Sequence, residues 1–403
     1  MEVVRPVKPE DMEVLDYYAY KTGIKPFSST APERDIFFPK NFSFIEEPDD
    51  ALVVLNDLVK FSLGGHTRRI SIHQEKCVLI DHCAEAAATA LAIQAHGWPR
   101  VRFMGTFPES AEQRDIVLAT GLPSRLGIRL SEPDGFLKFP LKHARRVRGT
   151  AERSSEKEVQ ATKITQYVDE CLDGYGWELT DDAKGYLTSL VGEVLDNAEE
   201  HSQRPDWWMA GYLRQKSKTY GDCHITIFNF GQTLAESLQE LPPDSMLRND
   251  IEELVELHKK KKYFSLGGWT EENLWTLYAL QAGVSRFNTG RDNLGGFARG
   301  YGTVKMIQFF QEIGKSDIAG EPPKMCIVSG RTHILFDGKY EMRSQKTRRG
   351  EDAEIIAFNK KNDLREKPDD KYVRHLRHPF PGTLISLRFY FDPENLEKLG
   401  EAS

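Results

Sequence analysis

Glu193-Val194-Leu195-Asp196-Asn197-Ala198-Glu199-Glu200-His201 closes an amphipathic run over residues 180–201. Within that run Ala183, Tyr186, Leu187, Leu190, Val191, Val194, Leu195 and Ala198 recur at i, i+3, i+4 and i+7, a spacing that predicts a helix. Thr180 offers an N-cap, and Asp181 and Asp182 put negative charge in the first turn. Glu193, Asn197 and His201 are spaced four apart, so they share one face beside the apolar stripe, with their heads at the rim of a core. A carboxylate and a carboxamide one turn apart suit metal–phosphate chemistry. The Asn oxygen is a hard ligand of the kind Mg²⁺ takes. The Glu can orient or deprotonate a water for attack on a phosphoryl group. Alone, Glu-x-x-x-Asn equally describes a polar helix edge.

Two later segments add to it. His224-Ile225-Thr226-Ile227-Phe228-Asn229-Phe230-Gly231 reads as a strand running into an Asn-x-Gly turn. Asn229 sits where an amide can read a base edge, and Gly231 would let the backbone approach a ring. Gly295-Gly296-Phe297-Ala298-Arg299-Gly300-Tyr301-Gly302 then opens a helix predicted over 303–313. Loop amides and a helix N-terminus make an anion site, and Arg299 adds a phosphate-pairing group.

In this order, acidic-amide helix, strand with Asn-x-Gly, glycine-rich segment, helix, the chain resembles the GHKL ATPase superfamily of gyrase B, heat-shock chaperones, histidine kinases and mismatch-repair ATPases. The resemblance covers about residues 156–395, and Glu-x-x-x-Asn-Ala-x-x-His looks most like the anti-sigma-factor serine kinases. It implies ATP and Mg²⁺ as cofactors, Glu193 as general base and Asn197 as Mg²⁺ ligand. It puts Asn229 and Gly231 in the adenine-contacting segment, and Gly300 and Gly302 in the phosphate lid. It also implies an α/β sandwich of the Bergerat (histidine-kinase-like ATPase) type, a largely antiparallel sheet covered on one face by helices. The chain departs from the pattern in the adenine segment, and no phosphoacceptor-histidine helix pair is evident upstream. The usual Asp-x-Gly-x-Gly is Asn229-Phe230-Gly231-Gln232-Thr233 here. An Asn carbonyl can still accept from an amino group, but the carboxylate is lost and a donor gained.

The 403 residues allow two or three domains at about 150 residues each. We expect an N-terminal appendage over 1–45 and a smaller α/β module over 46–135. A linker over 136–155 and the ATP-binding domain over 156–395, with an insertion at 339–378, complete the chain. In the module, Asp81 opens an alanine-rich helix over 84–95, and 100–104 reads as a strand. Ile70 to Ile72, Leu79 to Asp81, that helix and Gly105-Thr106-Phe107-Pro108 resemble STAS-like regulatory modules. In the later part 324–329 and 333–336 read as a hairpin around Gly330-Arg331, and 384–391 as a last strand.

Lys and Arg total 54 against 61 Asp and Glu, a net charge of -7, so a nucleic-acid partner is not indicated. The five cysteines are widely spaced and form no CxxC, so neither a zinc ribbon nor a disulfide framework is supported. No stretch reaches the roughly 18 apolar residues of a membrane span. The expectation is a cytoplasmic Mg-ATP-binding protein, a slow ATPase acting as a conformational switch in a regulatory or defence assembly. It meets a protein partner through the N-terminal module, and a homodimer is compatible with that role. The alternatives are a protein serine kinase of the anti-sigma type and a nucleotide sensor that does not turn over.

Overall fold

The computed structural model describes residues 8, 11–96, 101–128, 130–131, 134–145, 155–200, 202–204, 206–217, 220–265, 268–282, 284, 302–313, 322–346 and 352–391. Strands and helices mix throughout, giving an α/β architecture. The first part runs α1 (Val14–Thr22), β1 (Glu33–Phe37), β2 (Asn41–Phe42), α2 (Pro48–Ser62), β3 (Arg69–His73), β4 (Leu79–Ile80), α3 (His82–His96), β5 (Arg102–Thr106), α4 (Ala111–Thr120) and α5 (Leu122–Arg125). Strands β1, β3 and β5 make a parallel sheet, and β2 pairs with β4. Helix α2 starts on Pro48 with Asp49 and Asp50 in its first turn, which suits the positive end of the helix dipole. Helix α3 is buried almost all round, as its alanines allow, and the Asp81 carboxylate accepts from the Ala84 amide at 2.7 Å to cap it.

The second part runs β6 (Phe136–Arg145), α6 (Ser155–Asp173), α7 (Asp181–Glu200), β7 (Asp206–Gln215), β8 (Gly221–Phe230), α8 (Leu234–Gln239), α9 (Met246–Lys260), α10 (Glu271–Tyr278), α11 (Gly302–Ile313), β9 (Lys324–Phe336), β10 (Arg343–Lys346), β11 (Asp352–Ile355) and β12 (Val373–Phe391). Five strands form an antiparallel sheet in the order β6-β7-β8-β12-β9. The Thr180 hydroxyl caps α7 by accepting from the Ala183 amide at 3.2 Å.

Several expectations need correction. Residues 1–45 are not an appendage, because β1 and β2 within them pair with β3 and β4 of the following part. Residues 136–145 are not linker but edge strand β6, paired with β7. Pro140 suggested a junction; it sits instead where the β6–β7 register slips between Phe139 and Lys142, a place an edge strand tolerates proline. Residues 324–336 are one continuous strand rather than a hairpin, because both halves pair with β12. Gly330, at φ +58°, marks a bulge where the Glu272 carboxylate accepts from the Arg331 amide at 2.6 Å. The last strand begins at Val373, inside the expected insertion, whose remaining part carries the β10–β11 hairpin.

The large sheet is covered on both faces, not on one. Helices α6, α7 and α11 lie on the first face, and α1 to α4 of the N-terminal part on the second. The cause is in the strands: Trp207, Trp208, Met209, Ala210 and Tyr212 in β7 are all buried, and a strand buried on both faces has no polar alternation. On the second face Cys83 Sγ meets Thr226 Oγ1 at 2.8 Å, His333 Nε2 donates to the Phe44 carbonyl at 2.8 Å, and the Tyr18 ring stands edge-on to Phe230. The two parts share one hydrophobic core.

Strands β8 and β12 approach so closely at Gly382 (φ +150°) that a Cβ there would lie 2.1 Å from the Asn229 carbonyl oxygen. Gly382→Ala is therefore expected to cost about 2 kcal/mol or more, read as a lowered denaturant midpoint. A midpoint equal to that of the parent would show the strands can separate freely.

Candidate functional site

The buried side chains Val194 and Leu195 fix the rotation of α7 and leave Glu193 at the edge of the core, its side chain about one-third exposed. It does not stand free. Lys305 of α11 donates to its carboxylate at 2.8 Å. Lys305 occupies the first turn of α11, where the helix dipole disfavours a cation, so the Glu193 carboxylate compensates for that placement. Asn197 lies one turn beyond Glu193 in the same helix. Its side chain, and His201, lie outside what is described.

Between α7 and the sheet lies a narrow cavity with about 30 Å³ of free space, room for about one water molecule. Val194, Ile227, Ile327, Ile385 and Leu280 give it apolar walls that stand close together. Its polar lining comes from Ser202, Asn229, Gln232, Thr233, Thr303 and Thr383. Asn229 is only 4% exposed and pairs across the sheet with Thr383, whose amide donates to Asn229 Oδ1 at 3.4 Å. Ser329, fully buried beside them, accepts from the Leu234 amide at 2.9 Å. It lies 3.0 Å from both the Gly382 carbonyl and Thr383 Oγ1.

Gly231 does a different job from the one its turn suggested. It does not line the cavity; a Cβ there would lie 2.4 Å from the Ser202 carbonyl oxygen, and the Gln232 amide donates to that same oxygen at 2.7 Å. The glycine lets the segment after α7 cross the end of β8. Gly302 is the first residue of α11, and its neighbour Thr303 lines the cavity. Arg299 and Gly300 lie outside the described residues.

The rim is tied to the N-terminal part. Thr233 and Glu236 form a capping box at the start of α8, and Lys21 of α1 is ion-paired with Glu236. Arg204, just beyond α7, donates to the Met12 carbonyl at 2.8 Å and lies over the Tyr17 ring. Thr383, Ser329 and Lys305 were not among the residues singled out from sequence. Each belongs to the site only through long-range pairing.

A second polar cluster, at the far end of β8, is structural. Asp222 is buried against His224, Arg214 and Arg388. Burial raises its pKa, but these three neighbours outweigh it and hold the carboxyl well below the ordinary carboxylate range. The described residues hold no group of three or more His, Cys, Asp or Glu arranged for a metal ion. None of their helices is long and apolar enough to cross a membrane. Compared with known proteins, the chain matches no family model, no curated protein and no solved structure.

Proposed function

We propose that the chain binds a purine nucleoside triphosphate with Mg²⁺ in the α7–β8–β12 cavity and turns it over slowly as a conformational switch. ATP is the nucleotide the sequence resemblance implies, and a Bergerat-type sandwich is the fold we propose for the second part. The observation that carries the reading is the cavity itself. It brings Val194 of α7 together with Asn229 on β8 and Thr303 at the start of α11, from the three segments that the sequence reading singled out; Glu193, the neighbour of Val194 in the helix, does not line it. Apolar walls and a few converging polar groups are what a planar base requires.

In this reading Glu193 orients or deprotonates the attacking water, and Asn197 contributes an oxygen to the cation. The start of α11 at Gly302, with Arg299 and Gly300 before it, receives phosphate. Bound Mg²⁺ supplies neutralisation of phosphate charge. The close walls must part to admit a base, and the Gln232–Ser202 and Arg204–Met12 bonds then offer a route by which α1 registers the change. The five described cysteines are all unpaired and buried, which suits work in the cytosol.

Titration calorimetry and thermal shift with ATP, ADP and GTP, with and without Mg²⁺, test the reading. Heat and a raised melting temperature that depend on Mg²⁺ are expected. Absence of both with every purine nucleotide would remove it.

A further inference from the structure

Strands β1, β3 and β5 run parallel, and a parallel sheet is ordinarily covered on both faces. This one is covered on a single face. Ile36, Ile70, Ile72 and Phe103 are buried on the side of helices α2 and α3. The alternate residues of each strand form the opposite face, which is open. On it Phe37 of β1 is 68% exposed and Met104 of β5 is 53% exposed. The Phe37 ring lies flat on His73 of β3, with centroids 4.7 Å apart and planes 15° from parallel. His73 Nε2 is in turn 2.9 Å from the Asp35 carboxylate. The aromatic ring is thus fixed in place on the open face. A large apolar side chain that is already immobilised loses little freedom when something docks on it.

The charges on this face are sorted by strand. Strand β1 carries Glu33 and Asp35, central β3 carries Arg69, and β5 carries Arg102. Glu33, Arg69 and Arg102 stand side by side in one cross-strand row. Arg69 donates to Glu33 at 2.7 Å. Arg102 is exposed at the far edge and meets no carboxylate among the described residues. The face therefore runs from acidic at the β1 edge to basic at the β5 edge. A surface of that kind is complementary to itself turned over.

We propose that a second copy of this chain covers the open face, sheet against sheet. A twofold axis along the strand direction, midway between sheets about 10 Å apart, lays β1 of each copy over β5 of the other. Glu33 then faces Arg102 of the partner subunit, and the pair occurs twice. Phe37 comes down beside Met104 of the partner subunit. Ser71, at the centre of the face, is small enough to let the sheets approach on the axis. Arg69 also lies on the axis, where its own Glu33 neutralises it. The other in-plane axis, across the strands, would set Asp35 against Asp35 and is disfavoured. Three five-residue strands span only about 14 by 17 Å, so the face is smaller than a permanent dimer requires. The association is weak and reversible. It does not depend on the nucleotide reading.

Sedimentation equilibrium of the full chain without nucleotide, up to the highest soluble concentration, tests the proposal. A reversible monomer–dimer equilibrium that weakens with added salt is expected. Arg102→Glu should weaken it by about tenfold or more, and so should Phe37→Ser. Adding Glu33→Arg to Arg102→Glu exchanges the two charges and should restore most of the loss. These side chains are exposed, and an unchanged melting temperature confirms that each variant is folded. A chain that stays monomeric at every concentration overturns the second copy as the occupant. A dimer unmoved by both Arg102→Glu and Phe37→Ser uses another face and overturns it too. The result on the parent protein stands even where a variant fails to fold.

Discussion

Glu193→Gln is expected to lower phosphate release from the bound nucleoside triphosphate by about 10²- to 10⁴-fold, the range over which a positioned general base contributes. Nucleotide affinity should change by less than about threefold. The substitution is nearly isosteric, and the Gln carbonyl can still accept from Lys305, whose ammonium now lies 2.8 Å from the carboxylate. The α7–α11 contact is thus kept while the basic oxygen is removed. A steady-state phosphate assay beside calorimetry on the same preparation separates the two quantities. Undiminished release would take Glu193 out of the chemistry and favour a protein that senses nucleotide without consuming it. Release abolished together with binding would assign Glu193 to holding the site together. Labelled phosphate appearing on a protein from lysate, and depending on Glu193, would favour the kinase alternative, in which a hydroxyl replaces water.

The site was legible where it depends on local pattern and hidden where it depends on pairing. Glu193 and Asn197 follow from helical spacing, and α7 runs as its apolar stripe requires. Asn229 was visible as the end of an apolar strand. Its partner Thr383 lies 154 positions away, and Lys305 lies 112 positions from Glu193. Nothing local marks either, because strand register and helix packing bring them in. The same division holds for the fold. The apolar run of β8 read as a strand, but nothing local says that α1 to α4 supply a second cover of the sheet. Strand β6 was hidden for a different reason: Pro140 and its lysines are breakers in a central strand and acceptable on an edge. Gly231 carried a true signal, a place where no side chain fits, but the object filling the space is the Ser202 backbone and not a ligand.

That second cover contains a charge problem whose consequence is measurable. Glu85 of α3 is fully buried; the Gln74 amide donates to one carboxyl oxygen at 2.9 Å, and the other oxygen has no partner. Burial pushes its pKa up from 4.5 to about 7, against the opposing pull of the Gln74 bond. The folded state therefore holds this proton more tightly than the unfolded chain does. The associated stability is fully present below pH 4.5 and is lost as pH rises through about 7. Above that window the folded protein carries a buried carboxylate at a cost of about 3 kcal/mol. Glu85→Gln removes the titration and presents an amide where the neutral acid stood. Near pH 4.5 the variant and the parent should differ little in urea denaturation, whereas near pH 8 the variant should be the more stable by about 3 kcal/mol. Other titrating groups are common to both proteins and cancel in the difference. A difference that stays constant across that window would mean Glu85 is ionised in the folded protein at all these pH values, with an unseen partner for its second oxygen.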